Sequence, residues 1–380
     1  MNQSTRTHTW AILTLTMVLI ALFFGLRLRG WPVANKVRWL PDSGAIRFED
    51  AGIAFVDDMR AVRHRAQPWP FTVEMAVTPA SVQKGGFSPI LVMHDGADRR
   101  QLAIWQYNAS LIVMNGDDYD NKQRRPRVTG RDVFSARQTR YLTITSGEQG
   151  TQLYVDGIPA AANKKWNLSI PMEGAPLRLV LGNSVHGKHV WQGDLHGLAL
   201  SGEALSAETV RLRFDRWATA RNFDFLKQSP AMLLYTFDPK MATRFADQSG
   251  NGNDLEIPQQ LIVLHKTILA PIQRQFNLNR AAVSDMVVNV VGFIPVGIVF
   301  YGLLQCFSGP LSRRSLLFAV VLCMLLSLCI ELVQAWIPTR YSSLQDLILN
   351  TFGAWLGIVA WRLVRERKGQ GQNQAVGFRL

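Results

Sequence analysis

The sequence predicts a mixed fold: a β-sandwich inserted between transmembrane α-helices, four helices in total. Three observations carry this reading. Four apolar runs, one near the start and three after residue 283, approach or reach the ~20 residues needed to cross a bilayer. Residues 38–217 instead alternate in short runs separated by Gly, Asn and Asp, which is the texture of strands and turns. All three cysteines, Cys306, Cys323 and Cys329, fall in the C-terminal apolar runs, so the middle region folds without disulfides. That fits a bacterial envelope protein better than a small secreted module, which usually needs disulfide staples.

Residues 1–28 are expected to be an N-terminal anchor. The run WAILTLTMVLIALFFGL is near the lower limit for a span, and it ends in Gly25-Leu26-Arg27-Leu28-Arg29 with no small-x-small cleavage site. Residues 37–258 form the β-region, with FTVEMAVTP, SPILVMHDG, RQLAIWQYN, RYLTITSG and TQLYVDGIP as strand-length runs. Within it, residues 204–221 are expected to be helical, with Ser206 as N-cap and Thr209 in place of the capping-box acid. Residues 259–282 are a connector. Leu261, Leu264, Ile268 and Ile272 are roughly helix-spaced and Pro271 cuts the pattern, so it lies on the membrane surface or packs on the sandwich as a stalk. Residues 283–365 are the helical membrane domain and 366–380 a basic cytoplasmic tail.

The net charge is +13. Many basic residues flank the apolar runs, so membrane orientation and anionic lipid account for them. No zinc-finger, RNP or recognition-helix pattern is present, and nucleic acid is not an expected partner. Arg313 and Arg314, and Arg362, Arg365, Arg367 and Lys368, mark cytoplasmic loops, whereas the 336–343 turn carries only Arg340. This places the β-domain outside and both termini in the cytoplasm of a bacterial inner-membrane protein. Arg27, Arg29, Lys36 and Arg38 argue locally for the reverse, but long domains translocate largely regardless of charge.

The C-terminal runs keep polar residues that no lipid-facing helix would keep. Asp285 and Asn289 are i, i+4, as are Asp346 and Asn350, and Glu331 and Gln334 are i, i+3, so each pair shares a helix face. With Arg340 these seven residues are expected to form one intramembrane cluster. Asp285, Glu331 and Asp346 are the candidate catalytic groups, since intramembrane acids default to function. The plain alternative is that the cluster glues helices together. Gly353 and Gly357 form a small-xxx-small pair that lets another helix approach.

Chemistry in the β-region is sparser. Retaining glycoside hydrolysis needs two carboxylates about 5–5.5 Å apart. Glu49-Asp50 and Asp57-Asp58 are adjacent pairs, which point to opposite faces of a strand. Binding is therefore favoured over hydrolysis. Asp117, Asp118 and Asp120 offer oxygens to calcium, but the loop lacks EF-hand spacing and a solvated turn is the simpler reading. Trp105, Trp166 and Trp191 could include a sugar-stacking ring, although core positions suit so large a side chain. His186 and His189 read as surface residues of a Gly-containing turn and His265 as a lone histidine. HExxH and GxxxxGK[ST] are both absent.

Two resemblances add to this reading. The order FTVEMAVTP, ILVMHDG, LAIWQ, LIVMN, LTITSGEQGTQLYVDG, LRLVLGN and WQGDLHGLALSGEALSAETVRLRF resembles a laminin-G-like, concanavalin A-type jelly roll. LLYTFDPKMATRFADQSGNGNDLEIP resembles that family's opening phrase, displaced to the far end, where it is expected to supply an edge strand. The family's E-x-D-x-x-E hydrolase strand is missing. Asp285 to Gly297 (D-x-x-x-N-x-x-G-F-x-P-x-G), Glu331 to Arg340 (E-L-x-Q-x-x-x-P-x-R) and Asp346 to Gly357 (D-L-x-x-N-x-x-G-x-x-x-G) resemble the VanZ-like membrane family, whose name comes from a protein associated with teicoplanin resistance. The resemblance implies a shared polar site and no settled reaction. Together they imply an envelope protein that binds membrane lipid and holds a glycan or a cell-surface partner. The alternative is a membrane enzyme or transporter component acting on a lipid-linked saccharide through Asp285, Glu331 or Asp346.

Overall fold

The computed structural model describes residues 3–26, 32–64, 70–83, 86–118, 121–237, 243–272, 280–338, 340 and 342–377. The chain forms two compact units: Pro32–His265, and Met1–Trp31 with Lys266–Leu380. In chain order the helices are α1 (Gln3–Leu26), α2 (Arg60–Arg63), α3 (Ala207–Ala220), α4 (Arg280–Leu304), α5 (Pro310–Arg313), α6 (Ser315–Gln334) and α7 (Leu344–Gly377). The strands are β1 (Val37–Leu40), β2 (Ala45–Phe48), β3 (Ala54–Val56), β4 (Phe71–Pro79), β5 (Phe87–His94), β6 (Leu102–Tyr107), β7 (Ser110–Asn115), β8 (Arg127–Gly130), β9 (Arg140–Gly147), β10 (Gly150–Val155), β11 (Ile158–Asn163), β12 (Arg178–Leu181), β13 (Gly193–Ser201), β14 (Ala231–Tyr235), β15 (Arg244–Phe245) and β16 (Leu255–Glu256).

The strands build two antiparallel sheets packed as a sandwich. One runs β1-β2-β13-β4-β9-β10-β11, with β14 also on β13; the other runs β15-β16-β3-β12-β5-β6-β7-β8. Strand alternation decides the packing. On β4, Phe71, Val73, Met75 and Val77 enter the shared core, while Ala76 joins a separate cluster on the outer face. The displaced segment after residue 230 does contribute strands, and to both sheets. β14 pairs with Leu198 to Ser201 of β13, beyond the stretch of β13 that β2 occupies. β15 and β16 extend the edge of the second sheet beside β3.

Each outer face is partly roofed. On the first sheet, Trp217 of α3 with Phe223 and Leu226 covers Ala76, Tyr141 and Ala199. α3 starts where its cap predicts: the Ser206 hydroxyl accepts the Thr209 N–H at 3.2 Å. On the second sheet, Leu261, Ile262 and Leu264 lie over Val92, Trp105 and Val180. The start of the connector therefore packs on the sandwich.

The helical unit contains, among the described residues, four helices long and apolar enough to cross a membrane: Gln3–Leu26, Val283–Leu304, Ser315–Gln334 and Leu344–Arg367. A Cβ on Gly353 would fall 2.1 Å from the Val290 carbonyl oxygen, and one on Gly357 2.2 Å from that of Ile294. Backbone therefore meets backbone between α7 and α4, which only glycine permits.

Candidate functional site

The sandwich presents a cleft where α3 leaves the first sheet uncovered. Arg47 on β2, Asp194 on β13 and Thr78 on β4 are cross-strand neighbours in register. Their flanking residues Ile46, Leu195 and Val77 point into the core, so these three point outward. Arg47 donates from Nε and Nη2 to the two Asp194 oxygens at 2.6 and 2.7 Å, a bidentate pair that fixes both side chains. The Thr78 hydroxyl bonds the Thr139 hydroxyl and His196 Nε2, each at 2.8 Å. Burial holds the His196 imidazole below its ordinary pKa. The cleft measures about 700 Å³ and is also lined by Glu49, Asp50, Arg137 and Gln192. That volume falls within the few hundred to ~1,000 Å³ typical of ligand sites. Arg47 and Asp194 are 147 residues apart, and no local signal joins them in the sequence.

The adjacent acid pairs are held by cations or by backbone. Glu49 accepts from Arg38 and Asp50 from Lys36. Asp57 accepts from Arg178, and Asp58 from the Leu177 amide and Arg63. Among the candidate calcium ligands, Asp118 is buried and organises its own loop. Its two oxygens accept the N–H groups of Gln123 at 2.9 Å and Arg125 at 3.0 Å. A calcium ion would have to compete with those donors. Asp117 precedes it in the same loop, and Asp120 lies outside the described residues. Trp105 and Trp191 are core residues, and the Trp191 indole N–H donates to Gln106 at 2.7 Å. Trp166 is half-buried against both clusters.

In the helical unit Asp346 and Arg340 lie near enough to Glu331 to act on it electrostatically. Asn289 hydrogen-bonds Asp346, with Asp285 and Arg340 near enough to act on it electrostatically. Glu331 is buried, and its carboxylate accepts the Ser343 N–H at 2.6 Å. The Ser343 hydroxyl in turn accepts the Asp346 N–H at 3.2 Å, capping α7 with Asp346 in its first turn. Gln334 and Arg340 both donate to the Gly25 carbonyl, at 2.8 and 3.1 Å, closing the C-terminus of α1. Asn350 donates to Ser327 at 2.9 Å, one turn further along α7. The cap that the Ser343 hydroxyl makes on α7 is the role the S-x-x-D run 343–346 signals in the sequence, whereas the Ser343 N–H, which a capping-box acid would take, goes to Glu331 instead.

The histidine readings need correction. His186 is partly buried, with Nε2 3.0 Å from Asp98 Oδ1. His265 is not alone, since its ring centroid lies 4.8 Å from that of His94 and 5.5 Å from that of His186. His189 sits edge-on to Trp105. The loop carrying His186 and the 261–265 segment both fold onto the outer face of the second sheet, which the sequence spacing does not reveal.

Comparison with known proteins places these units. The concanavalin A-like lectin/glucanase superfamily model matches residues 57–211, and the VanZ/LLP1 model matches residues 231–365. The chain carries a concanavalin A-like domain and a VanZ-like domain. The VanZ/LLP1 match begins at β14, among the strands of the sandwich unit. A search of curated proteins finds no match. Among solved structures, a Bacteroides ovatus protein classed as carbohydrate-binding is similar at a TM-score of 0.41 and 14% identity, over 57% of this chain and 59% of that one. The Ruminococcus gnavus IT-sialidase CBM40, bound to α2,3 sialyllactose, gives 0.37 and 11%, over 44% and 95%. Trypanosoma rangeli sialidase in complex with sialic acid gives 0.35 and 17%, over 48% and 28%. This chain thus spans under two thirds of the length of the Bacteroides protein.

Proposed function

We propose that this chain is a bacterial inner-membrane protein whose extracytoplasmic concanavalin A-like domain binds a glycan, with both termini in the cytoplasm. The observation that carries the reading is the cleft on the first sheet. It offers a fixed guanidinium–carboxylate pair, a threonine hydroxyl and Arg137 in a space of ordinary ligand-site volume. Oriented donors and acceptors are what sugar hydroxyls require. Binding is favoured over hydrolysis because each acid lining the cleft, Glu49, Asp50 and Asp194, is held by a cation. The loop charges support the orientation.

The test uses the full chain in lipid nanodiscs against cell-wall and lipid-linked saccharides. Asp194→Ala and Thr78→Val should each weaken binding about tenfold or more, the worth of one to two hydrogen bonds. Unchanged binding by both variants would remove the cleft from the proposal.

A second reading rests on Asp346, which Asn289 hydrogen-bonds and on which Asp285 acts electrostatically. Acids so placed could serve as general acid or base toward a lipid-linked saccharide, or as a proton relay. Glu331→Gln and Asp346→Asn keep the hydrogen-bonding shape and remove the acid. Loss of phenotype at normal protein level would favour this second reading.

A further inference from the structure

A histidine cluster on the outer face of the second sheet has no part in the cleft. It draws on three separate stretches of the sandwich unit. His94 ends β5 and is fully buried; Asp98 follows in the next turn. His186 comes from the loop after β12, and His265 from the end of the covering segment. His94, Asp98 and His265 each present a ligand atom, all within 4.8 Å of one another. His94 Nε2 and His186 Nε2 approach the same Asp98 oxygen, at 3.1 and 3.0 Å.

The hydrogen bonds fix which nitrogens carry protons. His94 Nδ1 accepts the Gly96 N–H at 3.0 Å, so its proton is on Nε2 and is donated to Asp98. His186 Nδ1 lies 2.8 Å from the His265 carbonyl oxygen. A carbonyl only accepts, so Nδ1 of His186 carries a proton. In the neutral ring this leaves the Nε2 lone pair aimed at a carboxylate oxygen 3.0 Å away. Two acceptors in contact need a cation between them, either a proton or a metal ion. An imidazole whose second nitrogen donates to a backbone carbonyl has the usual orientation of a metal ligand. The backbone that carries His265 is anchored to the loop after β12: the amides of Leu264 and His265 both donate to the Val185 carbonyl at 2.9 Å.

The geometry points to a site for a divalent transition metal of the kind zinc fills, with Asp98, His186 and His265 as ligands and His94 as the residue positioning the carboxylate. The donor set is two imidazoles and one carboxylate. It suits zinc and its neighbours and not calcium, which takes six to eight oxygens. A metal here would cross-link residues 98, 186 and 265, tying the covering segment to the sheet. Binding then adds directly to the stability of the folded unit.

The test is zinc uptake by the tag-free full chain in nanodiscs, with zinc as the probe and His64→Ala as an exposed control. Wild type and His64→Ala should retain about one zinc per chain after desalting. His186→Ala, His265→Ala and Asp98→Asn should each weaken uptake more than about tenfold. His94→Ala should weaken it about tenfold, and His94→Gln, which keeps a donor toward Asp98, should recover most of that loss. Uptake should fall with acid, because the ligands then protonate. Should the variants not fold, cobalt substitution in wild type decides. Strong visible bands of a four-coordinate nitrogen–oxygen site support the proposal, and weak six-coordinate bands overturn it. Wild type that takes up no zinc, or a His186→Ala/His265→Ala double variant that retains it, also overturns the proposal. Uptake absent at every pH means that a proton holds His186 to Asp98.

Discussion

Glu74 and Glu331 are both essentially excluded from solvent by the protein, yet the two units compensate them differently. Glu74, on β4 of the sandwich, accepts from the Arg213 guanidinium and from the Tyr141 hydroxyl at 2.8 Å. Its partners are side chains brought from α3 and β9, and one of them is a full charge. Burial raises the Glu74 carboxyl, and Arg213 and Tyr141 oppose that rise. Glu331, in the helical unit, instead accepts a backbone amide, the N–H of Ser343 at the start of α7. The sandwich answers a buried charge with a charge on a long side chain. The helical unit answers first with an unpaired amide of the kind every helix start supplies, and the Arg340 charge lies near enough to add to it.

The largest expected effect lies on the sandwich side. Glu74→Ala leaves the buried Arg213 with only the exposed Glu203 carboxylate, 3.7 Å away, and the loss should approach the ~3–5 kcal/mol of a broken buried pair. Denaturant unfolding followed by tryptophan fluorescence should show it, and Glu74→Gln should lose less because it still accepts from Tyr141. A loss under about 1 kcal/mol for Glu74→Ala would mean that Arg213 reaches water.

Gly353→Leu comes next and probes the other unit. The new side chain would meet the Val290 carbonyl, and overpacking of this kind costs about 1–3 kcal/mol. Helical circular dichroism on heating in detergent should show earlier loss of structure, while the sandwich's fluorescence transition should stay where it was.

How much of this was legible followed from distance along the chain. The alternation of Phe71, Val73, Met75 and Val77, the Ser206 cap and the Gly353/Gly357 pair are local patterns, and each has the structural counterpart its spacing implies. The Arg47–Asp194 pair and the His94–Asp98–His186–His265 cluster are assembled by strand order and by a segment folding back, so no window of the sequence contains them. Asp346 is an intermediate case. Its capping-box position after Ser343 was legible, but an acid in an apolar run draws attention to function before capping.

Glu331 separates those two meanings. Glu331→Ala leaves the Ser343 N–H without its acceptor, an expected loss of about 1–3 kcal/mol. Glu331→Gln keeps an accepting carbonyl and should lose well under half of that. Protein level and thermal stability in membranes measure both. If the glutamine variant is as unstable as the alanine variant, the charge itself and not the acceptor geometry holds α7 in place.

The smallest effect gives the cleanest comparison, because the same device occurs in both units. Ser206 and Ser343 each accept an amide N–H three residues on, at 3.2 Å. Ser206 is exposed, so in Ser206→Ala water takes over the amide and the loss should be ~1 kcal/mol, the usual cost of a missing N-cap. Ser343 is buried, so in Ser343→Ala no water replaces the hydroxyl and the loss should reach ~1–3 kcal/mol. Equal losses would mean that water reaches the start of α7, and the amide that Glu331 accepts would then be solvated too. A larger loss at Ser343 would place that helix start in a dry environment, where Glu331 and Asp346 must be satisfied by the protein alone.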